Sequence, residues 1–248
     1  MFSKALIKYI QSLQTKKIRD SEGVFIAEGP KLVEELFLQK IFKLQHIYCL
    51  AEWANLHVKK LSLSDENYTV IEDFELKKIS ALSTPNQVLA LFEKAKNEPA
   101  EKYEGLILML DDIRDPGNMG TIIRSCDWFG VKHIICSENC VDIYNTKVVQ
   151  STMASLGRPR IFFTNLVKFL KDNSQLPVYA ASLEGEQLGN VKVAKDIILI
   201  IGNEANGIST ELMDLATKHI TIKKRGEAES LNAAIATSIF LFALTDAI

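Results

Sequence analysis

The sequence predicts an α/β protein with a small N-terminal α/β domain and a larger C-terminal α/β domain. Short apolar runs of strand length recur along the chain and alternate with stretches of helical periodicity, which is the pattern of βα units. A charged, proline-containing segment interrupts this alternation, and 248 residues are enough for two domains. We therefore place the domains at residues 1–95 and 105–248, joined by a linker at 96–104.

The N-terminal region shows this alternation over its whole length. Apolar positions at helical spacing over residues 3–14 predict a helix with Ser3 as its N-cap, and Gly29-Pro30 marks the start of another helix. The basic cluster at 16–19 is expected to end in a turn at 20–23. The other expected elements are a helix around 75–82 and strands at 24–27, 47–50, 68–71 and 88–92.

The composition is that of an ordinary globular chain without a dominant charge. Hydrophobic residues make up 47% and charged residues 24% of the sequence, and the formal net charge is −2. Any contact with a polyanion must therefore come from local basic patches. The apolar runs are too short to span a bilayer, and the lysine-containing N-terminus is unlike a signal peptide. Four cysteines without metal-binding spacing predict reduced thiols, a cytoplasmic location and no metal site.

The C-terminal region is organised around residues 106–130. The apolar run Leu106–Leu110 predicts a buried strand, and the loop after it contains one proline and two glycines that are expected to break regular structure. A helix is expected from Thr121 to Phe129, ended by Gly130. Strand–loop–helix units of this kind bind ligands at the carboxyl ends of their strands.

The alternation continues to the C-terminus. A last helix is expected to begin at Ser230. The remaining expected elements are helices around 148–156, 166–171 and 211–217, and strands at 133–136, 161–163, 178–181, 197–201 and 219–222.

Polar loops follow three of these strands. The first leads to Asn118 and Arg124, the second contains Glu204, and the third contains Ser230 and Asn232. If the strands are parallel neighbours, the three loops converge at one edge of the sheet. Each loop alone also fits an ordinary turn or helix cap, because asparagine and glycine are common turn formers. The combination of all three, in this order, favours a functional site.

The usual nucleotide-binding fingerprints do not occur in the sequence. Neither a Gly-x-Gly-x-x-Gly after a strand nor a Gly-Lys-Ser/Thr of the P-loop type is present, which disfavours a classical dehydrogenase and a P-loop NTPase. None of the four histidines falls in the three polar loops, so a Cys/His or Ser/His/Asp arrangement is weakly supported.

The three loops resemble the three motifs of the SpoU-type (TrmH-like) RNA ribose 2′-O-methyltransferases of the SPOUT superfamily. Asn118-x-Gly120-x-x-x-Arg124 is similar to the first motif, Gly202-Asn203-Glu204-x-x-Gly207-Ile208 to the second, and Glu229-Ser230-Leu231-Asn232 to the third. The likeness covers nearly the whole C-terminal region. The stretch 17–29 is similar, more loosely, to the substrate-binding domain that precedes this core in many members.

The resemblance implies a SPOUT α/β fold whose C-terminal chain threads a trefoil knot, which general topology rules alone disfavour. It also implies a homodimer that completes the active site, with S-adenosylmethionine bound in the knot. By position, the cofactor contacts fall on Gly202, Ile222 and Leu231, largely through backbone groups. The catalytic residues implied are Asn118, Arg124, Glu204, Ser230 and Asn232.

The resemblance places Arg124 near the ribose hydroxyl. Arginine hardly deprotonates, so we favour a role in stabilising a phosphate or an alkoxide over a role as base. The sequence departs from the family pattern at Lys223, where proline is usual, and at Gln150, where arginine is frequent. Basic residues that fit phosphate contacts, although an isolated one is more often a solvated surface charge, are Lys16, Lys17, Arg19, Arg158 and Arg160.

The sequence therefore predicts an RNA 2′-O-methyltransferase. We expect ribosomal RNA rather than tRNA as the substrate, because an additional N-terminal domain suits recognition of structured RNA by shape. The alternatives are tRNA as substrate, a non-catalytic RNA-binding or ribosome-assembly factor of the same fold, and a nucleotide-binding enzyme that acts on small molecules.

Overall fold

The computed structural model describes residues 2–246, which alternate between helices and strands as the sequence predicts. The helices are α1 (Lys4–Ser12), α2 (Lys16–Glu22), α3 (Pro30–Gln39), α4 (Ala51–His57), α5 (Asp73–Ile79), α6 (Pro116–Trp128), α7 (Thr146–Ser151), α8 (Leu166–Asp172), α9 (Thr210–Asp214) and α10 (Ala233–Thr245). The strands are β1 (Val24–Glu28), β2 (Leu44–Cys49), β3 (Tyr68–Val70), β4 (Val88–Glu93), β5 (Leu106–Leu110), β6 (His133–Cys136), β7 (Arg160–Phe163), β8 (Val178–Gln187), β9 (Ile197–Ile201) and β10 (Lys218–Thr221).

The chain divides into two compact units. The first contains the residues up to Lys96 together with Asp142–Leu156, and the second contains Asn97–Val141 together with the residues from Gly157 onward. Residues 94–105, which include the expected linker, have no helix or strand. The segment that carries α7 thus belongs to the first unit, although it lies between strands of the second in sequence.

The first unit is built on a four-stranded mixed sheet in the order β1-β4-β2-β3. Strand β4 pairs antiparallel with both β1 and β2, and β3 pairs parallel with β2. The residues of β1 are all buried, and one apolar cluster joins Ile26 and Leu89 of the sheet to Ile10 of α1 and Leu76 of α5. The amphipathic α1 begins at the predicted cap, since Ser3 Oγ accepts a hydrogen bond from the amide of Leu6 at 3.1 Å.

The second unit is built on a six-stranded sheet in the order β10-β8-β9-β5-β6-β7, and each pair of neighbours in it is parallel. The central strands β5 and β9 are uninterrupted apolar runs of five residues each, and all of their residues are buried. Strands covered on both faces require such runs. Parallel strands bring all their carboxyl ends to one edge, which is the arrangement that the polar loops were expected to need.

Helix α6 begins five residues earlier than predicted. We expected Pro116, Gly117 and Gly120 to keep this stretch irregular, and that expectation is wrong. Proline is tolerated in the first turn of a helix, where its missing amide hydrogen is not needed. The carboxylate of Asp115 caps the helix by accepting from the amide of Asn118 at 2.7 Å.

Three other expectations need correction. Residues 16–22 form α2 rather than a basic cluster ending in a turn, and α7 ends at Ser151 rather than at 156. The last helix does not begin at Ser230, because Asn232 is its N-cap and accepts from the amides of Ala234 and Ile235. Helix α4 was not predicted. Within residues 2–246, no helix has the length and apolarity needed to cross a membrane.

Candidate active site

Three loops meet at the carboxyl edge of the parallel sheet. They follow β5 (residues 111–115), β9 (residues 202–209) and β10 (residues 222–232). Their convergence was predicted from the sequence, and side-chain hydrogen bonds that link the three loops confirm it. These hydrogen bonds form a polar cluster beside the first residues of α6 and α10.

Asn118 lies at the centre of this cluster. Its Nδ2 donates a hydrogen bond to Oε1 of Glu204, and its Oδ1 accepts one from Nδ2 of Asn232 at 2.8 Å. The three sequence motifs are therefore joined through one amide. Asn118 is partly buried, whereas Glu204 and Asn232 are exposed, so the cluster faces solvent.

The orientation of each amide in the cluster follows from its partners. An ionised carboxylate only accepts, so the atom of Asn118 that faces Glu204 must be the NH₂ group. Oδ1 of Asn232 accepts from backbone amides at the start of α10, so its NH₂ group must face Asn118. Among the described residues, no hydrogen-bond donor contacts Oε2 of Glu204. This leaves a carboxylate oxygen open at the sheet edge.

The loop after β5 is cross-linked by residues that the sequence reasoning did not select. Asp112 has φ 59°, and its amide donates to Ser137 Oγ at 2.9 Å, while its carbonyl accepts from Nδ2 of Asn203 at 2.8 Å. Asp111 accepts from the amide of Ser209 at 2.9 Å. Asn203 belongs to the second motif and could have been selected on that ground, but no pattern marked Asp112 or Ser137.

Arg124 does not join the Asn118 cluster. It is exposed on α6, and within the described part of the chain no side chain pairs with it. With Thr121 and Trp128 it follows helical spacing, so the three residues lie along one side of α6. Thr121 lines a shallow apolar groove with residues of α10, namely Ala234, Ile235, Ser238, Ile239 and Phe242.

The predicted cofactor residues lie on loops that could grip a ligand through the backbone. A Cβ atom on Gly202 would lie 2.2 Å from the carbonyl carbon of Gly207, so only glycine allows this closed loop. Ile222 directly follows β10, and Leu231 is exposed. From Lys223 to Leu231 the described structure provides no hydrogen-bond partner for the backbone, which leaves donors and acceptors available.

Ser230 lies in the same exposed stretch as Leu231. Its hydroxyl group has no hydrogen-bond partner among residues 2–246, and α10 begins three residues later. The structure thus brings Asn118, Glu204 and Asn232 together, whereas Arg124 and Ser230 lie outside their hydrogen-bonded cluster.

A buried thiol lies beneath the loop after β5. Cys140 Sγ accepts from the amide of Ile113 at 3.3 Å, and a hydrogen bond from Cys136 lowers the pKa of Cys140 to about 7. The same contact raises the pKa of Cys136. All four cysteines are buried and unpaired by disulfides. Among residues 2–246, no three His, Cys, Asp or Glu residues group as a metal site would require.

The candidate phosphate contacts differ in their surroundings. Arg19 is 1% exposed and donates to Asp142 at 2.7 Å and to the carbonyls of Leu13 and Gln14, so it is a buried structural residue and the expectation of a phosphate contact is wrong. Arg160 begins β7 and therefore lies at the amino edge of the sheet, opposite the polar loops.

The fold and the joined motifs define a family, and comparison with known proteins identifies it. Residues 105–242 match the model of the SpoU rRNA Methylase family, and residues 4–90 match that of the MRM3-like substrate binding domain. The chain belongs to the SpoU rRNA methylase family, and its first region is similar to the second of these domains.

Particular relatives resemble the chain over nearly its full length. A solved structure from Porphyromonas gingivalis, assigned to the TrmH family of RNA methyltransferases, is 35% identical with a TM-score of 0.88, and the match covers 98% of each chain. The AdoMet-bound rRNA methyltransferase from Sinorhizobium meliloti is 28% identical with a TM-score of 0.88, over 99% of this chain and 96% of that one. The 23S rRNA (guanosine(2553)-2′-O)-methyltransferase of Bacillus subtilis is 25% identical over 96% of this chain and 95% of its own.

Proposed function

We propose that the protein transfers a methyl group from S-adenosylmethionine to a ribose 2′-hydroxyl in RNA, and that the RNA is ribosomal. The observation that carries the proposal is the hydrogen-bonded cluster of Asn118, Glu204 and Asn232, which joins the three motifs at one edge of the sheet. The full-length similarity to the 23S rRNA 2′-O-methyltransferase of Bacillus subtilis supports ribosomal RNA over tRNA.

The loops around the cluster fit an adenosine-containing cofactor. Gly202 closes a tight loop after β9, and the unpaired backbone between Lys223 and Leu231 offers donors and acceptors to a base and a ribose. The exposed side chain of Leu231 offers apolar surface to an adenine ring. When bound, S-adenosylmethionine would supply an electrophilic methyl group on a sulfonium. We propose Gly202, Ile222 and Leu231 as its contacts.

The side chains of the cluster suit methyl transfer to a ribose 2′-hydroxyl, which is a weak nucleophile. A ribose hydroxyl must lose its proton as it attacks, so an acceptor and a positive charge near the oxygen both lower the barrier. Glu204 would accept a hydrogen bond from the ribose through its open oxygen while Asn118 holds its other oxygen. Arg124 would stabilise the developing alkoxide or the adjoining phosphate, and Ser230 would contact the ribose from the loop before α10.

The position of Arg124 favours a homodimer that completes the site. Arg124 lies beside the apolar groove of α6 and α10, where Trp128, Ile235 and Phe242 are 84%, 54% and 60% exposed. Exposed apolar side chains on two packed helices mark an interaction surface. A second copy would cover this surface and bring its own polar cluster towards Arg124.

We also propose a cytoplasmic location, in keeping with an RNA substrate and with four buried cysteines that are free of disulfides. The boundaries at 95 and 105 and the trefoil-knotted path of the C-terminal chain remain part of the proposal.

Transfer of labelled methyl to unmodified bulk RNA, fractionated into rRNA and tRNA, tests the function. We expect label in rRNA, and we expect Arg124→Ala to reduce transfer by about 10²-fold or more without comparable loss of cofactor binding. Lys132→Ala, just before β6 at the opposite edge of the sheet, is the control. Label confined to tRNA would contradict the rRNA assignment. Cofactor or RNA binding without transfer would instead favour the non-catalytic factor.

A further inference from the structure

The loop between β5 and α6 presents an arginine that none of the motifs accounts for. The side chain of Arg114 is 70% exposed, yet its Nε is held by Oδ1 of Asp112 at 2.7 Å. Within residues 2–246, neither of its terminal nitrogens has a partner. The guanidinium is therefore held at Nε, while its two NH₂ groups are left without a partner among the described residues.

Asp112, which holds this arginine, is itself fixed by hydrogen bonds to two neighbouring loops. Asp112 adopts φ 59°, and its amide, carbonyl and carboxylate are each used, by Ser137, Asn203 and Arg114 respectively. Asn203 follows β9 and Ser137 follows β6, so loops from both neighbouring strands fix Asp112. A surface pair without such support loses much of its energy to side-chain entropy. This arginine is pre-organised instead.

The loops after β5, β9 and β10 carry more carboxylates than cations, so a polyanion that approaches this edge needs a positively charged contact there. These loops carry six carboxylates and four cations, namely Asp111, Asp112, Asp115, Glu204, Glu227 and Glu229 against Arg114, Lys223, Lys224 and Arg225. Arg124 follows on α6. RNA carries one negative charge at each phosphate and would be repelled by the carboxylates alone. A guanidinium with two free NH₂ groups matches a phosphate in a bidentate manner.

Resting on the proposed function, we propose that Arg114 is an RNA-binding residue of the active site that clamps a backbone phosphate near the methylated nucleotide. Asp112 is the positioning residue that aims it. Arg114 and Arg124 serve different groups of the RNA, because the eight residue steps from Pro116 to Arg124 alone extend about 12 Å along the axis of α6. One arginine therefore holds the backbone, and the other serves the reacting hydroxyl.

Arg114→Ala tests the proposal through RNA binding and through kinetics. We expect affinity for purified rRNA to fall about tenfold at 0.1 M salt, as expected for loss of one charged hydrogen-bonded contact. The slope of log affinity against log salt should decrease by about one. KM for RNA should rise while kcat and S-adenosylmethionine affinity stay near native values. Arg114→Lys should recover part of the affinity, because lysine keeps the positive charge but cannot make two parallel hydrogen bonds to one phosphate.

Two further variants separate this role from a general effect of charge. Lys132→Ala removes one positive charge just before β6, at the amino edge of the sheet, and should leave RNA affinity and the salt slope unchanged. Asp112→Asn keeps a residue that tolerates positive φ but removes the ion pair. It should weaken RNA binding less than Arg114→Ala does, and combining the two changes should add little, because Asp112 acts through Arg114.

The outcomes distinguish this proposal from the proposed function. RNA affinity, salt slope and KM equal to native in Arg114→Ala would overturn the role of Arg114 even if methyl transfer is intact. RNA binding that depends on Arg114 without any methyl transfer would uphold it and overturn the enzymatic function. Equal losses in Arg114→Ala and Lys132→Ala would also overturn it, since they would show only an effect of net charge.

Discussion

Asn118 shows how one side chain joins three loops. Its amide donates to Glu204 through Nδ2 and accepts from Asn232 through Oδ1 at the same time. A carboxylate of the same shape would lose the donor and would face Glu204 with a like charge. A hydroxyl would be too short to reach both partners.

We therefore predict that Asn118→Asp lowers the rate of methyl transfer by about 10²-fold, in the range seen when an oriented donor is lost from a catalytic site. Single-turnover transfer measures the rate of methyl transfer, and calorimetric titration with S-adenosylmethionine measures the affinity for the cofactor separately. Asn173→Asp is the matched control, because Asn173 is the C-cap of α8 and its Nδ2 only donates to the carbonyl of Phe169. A native rate in Asn118→Asp would remove the cluster from the mechanism.

Glu28 is a buried acid in the first unit. It is 4% exposed, and its carboxylate accepts from Ser80 and from the amide of Ala81 at 2.9 Å. Burial raises the pKa of Glu28 despite these two hydrogen bonds. A raised pKa in the folded state means that folding favours the protonated form, so stability is lost as pH rises through that pKa.

Glu28→Gln does not titrate at this position, so its free energy of unfolding relative to the native protein should rise with pH above about 4 and then level off. Urea denaturation at closely spaced pH values measures this difference. Glu66→Gln makes the same substitution at an exposed position and serves as the control. A difference for Glu28→Gln that falls over the same range would contradict the raised pKa.

At the scale of the elements, the segment Asp142–Leu156 is held to the first unit by a buried ion pair. Side chains of Arg19 and Asp142 are 2% and 10% exposed, and Arg19 also donates to two carbonyls before α2. Tyr144 packs against Phe25 of β1 with ring centroids 4.9 Å apart. Removing one partner of such a pair leaves a buried charge without compensation.

Asp142→Ala should thus destabilise the first unit by about 3–5 kcal/mol. Hydrogen exchange of the β1 and β4 amides measures the loss locally. Replacing both partners, as Arg19→Met with Asp142→Leu, should recover much of it, because an apolar pair leaves no unpaired charge. Equal stability of Asp142→Ala and the native protein would contradict a structural role for the pair.

The elements were predictable from the sequence where apolar pattern and capping agree. The strands β5 and β9 and the helix α1 with Ser3 follow directly from such patterns. The start of α6 was missed because proline and glycine usually interrupt helices, whereas here Pro116 lies in the first turn and Asp115 supplies the cap. Helix α2 was missed because a basic run and a following glycine fit a turn equally well.

At the scale of the whole molecule, the sequence located the site but not the way its parts are joined. Polar loops after apolar strands predicted their convergence, because the carboxyl ends of parallel strands meet. The bonds from Asn203 to Asp112 and from Ser137 to Asp112 were not predictable, since they join residues far apart in sequence that carry no periodic signal. The family resemblance named the residues, and the structure showed which of them touch.

The apolar groove of α6 and α10 predicts a dimer that a charged side chain placed in the groove would disrupt. Phe242→Asp should produce a monomer, because a carboxylate would be buried in a contact between apolar side chains. Sedimentation velocity at micromolar concentration measures the oligomeric state, and Leu38→Asp, an exposed apolar position on α3 of the first unit, is the control. A monomeric native protein would contradict the proposed homodimer.

The most direct measurement of the central claim is the chemical identity of the methylated nucleoside. Unmodified rRNA is incubated with the native protein and methyl-labelled S-adenosylmethionine, digested to nucleosides and separated by mass. We predict that the label resides on the ribose as a 2′-O-methyl nucleoside and that it is strongly reduced with Arg124→Ala and with Asn118→Asp. Label on a base, or ribose label unchanged in both variants, would contradict the assignment of the cluster as a 2′-O-methyltransferase site.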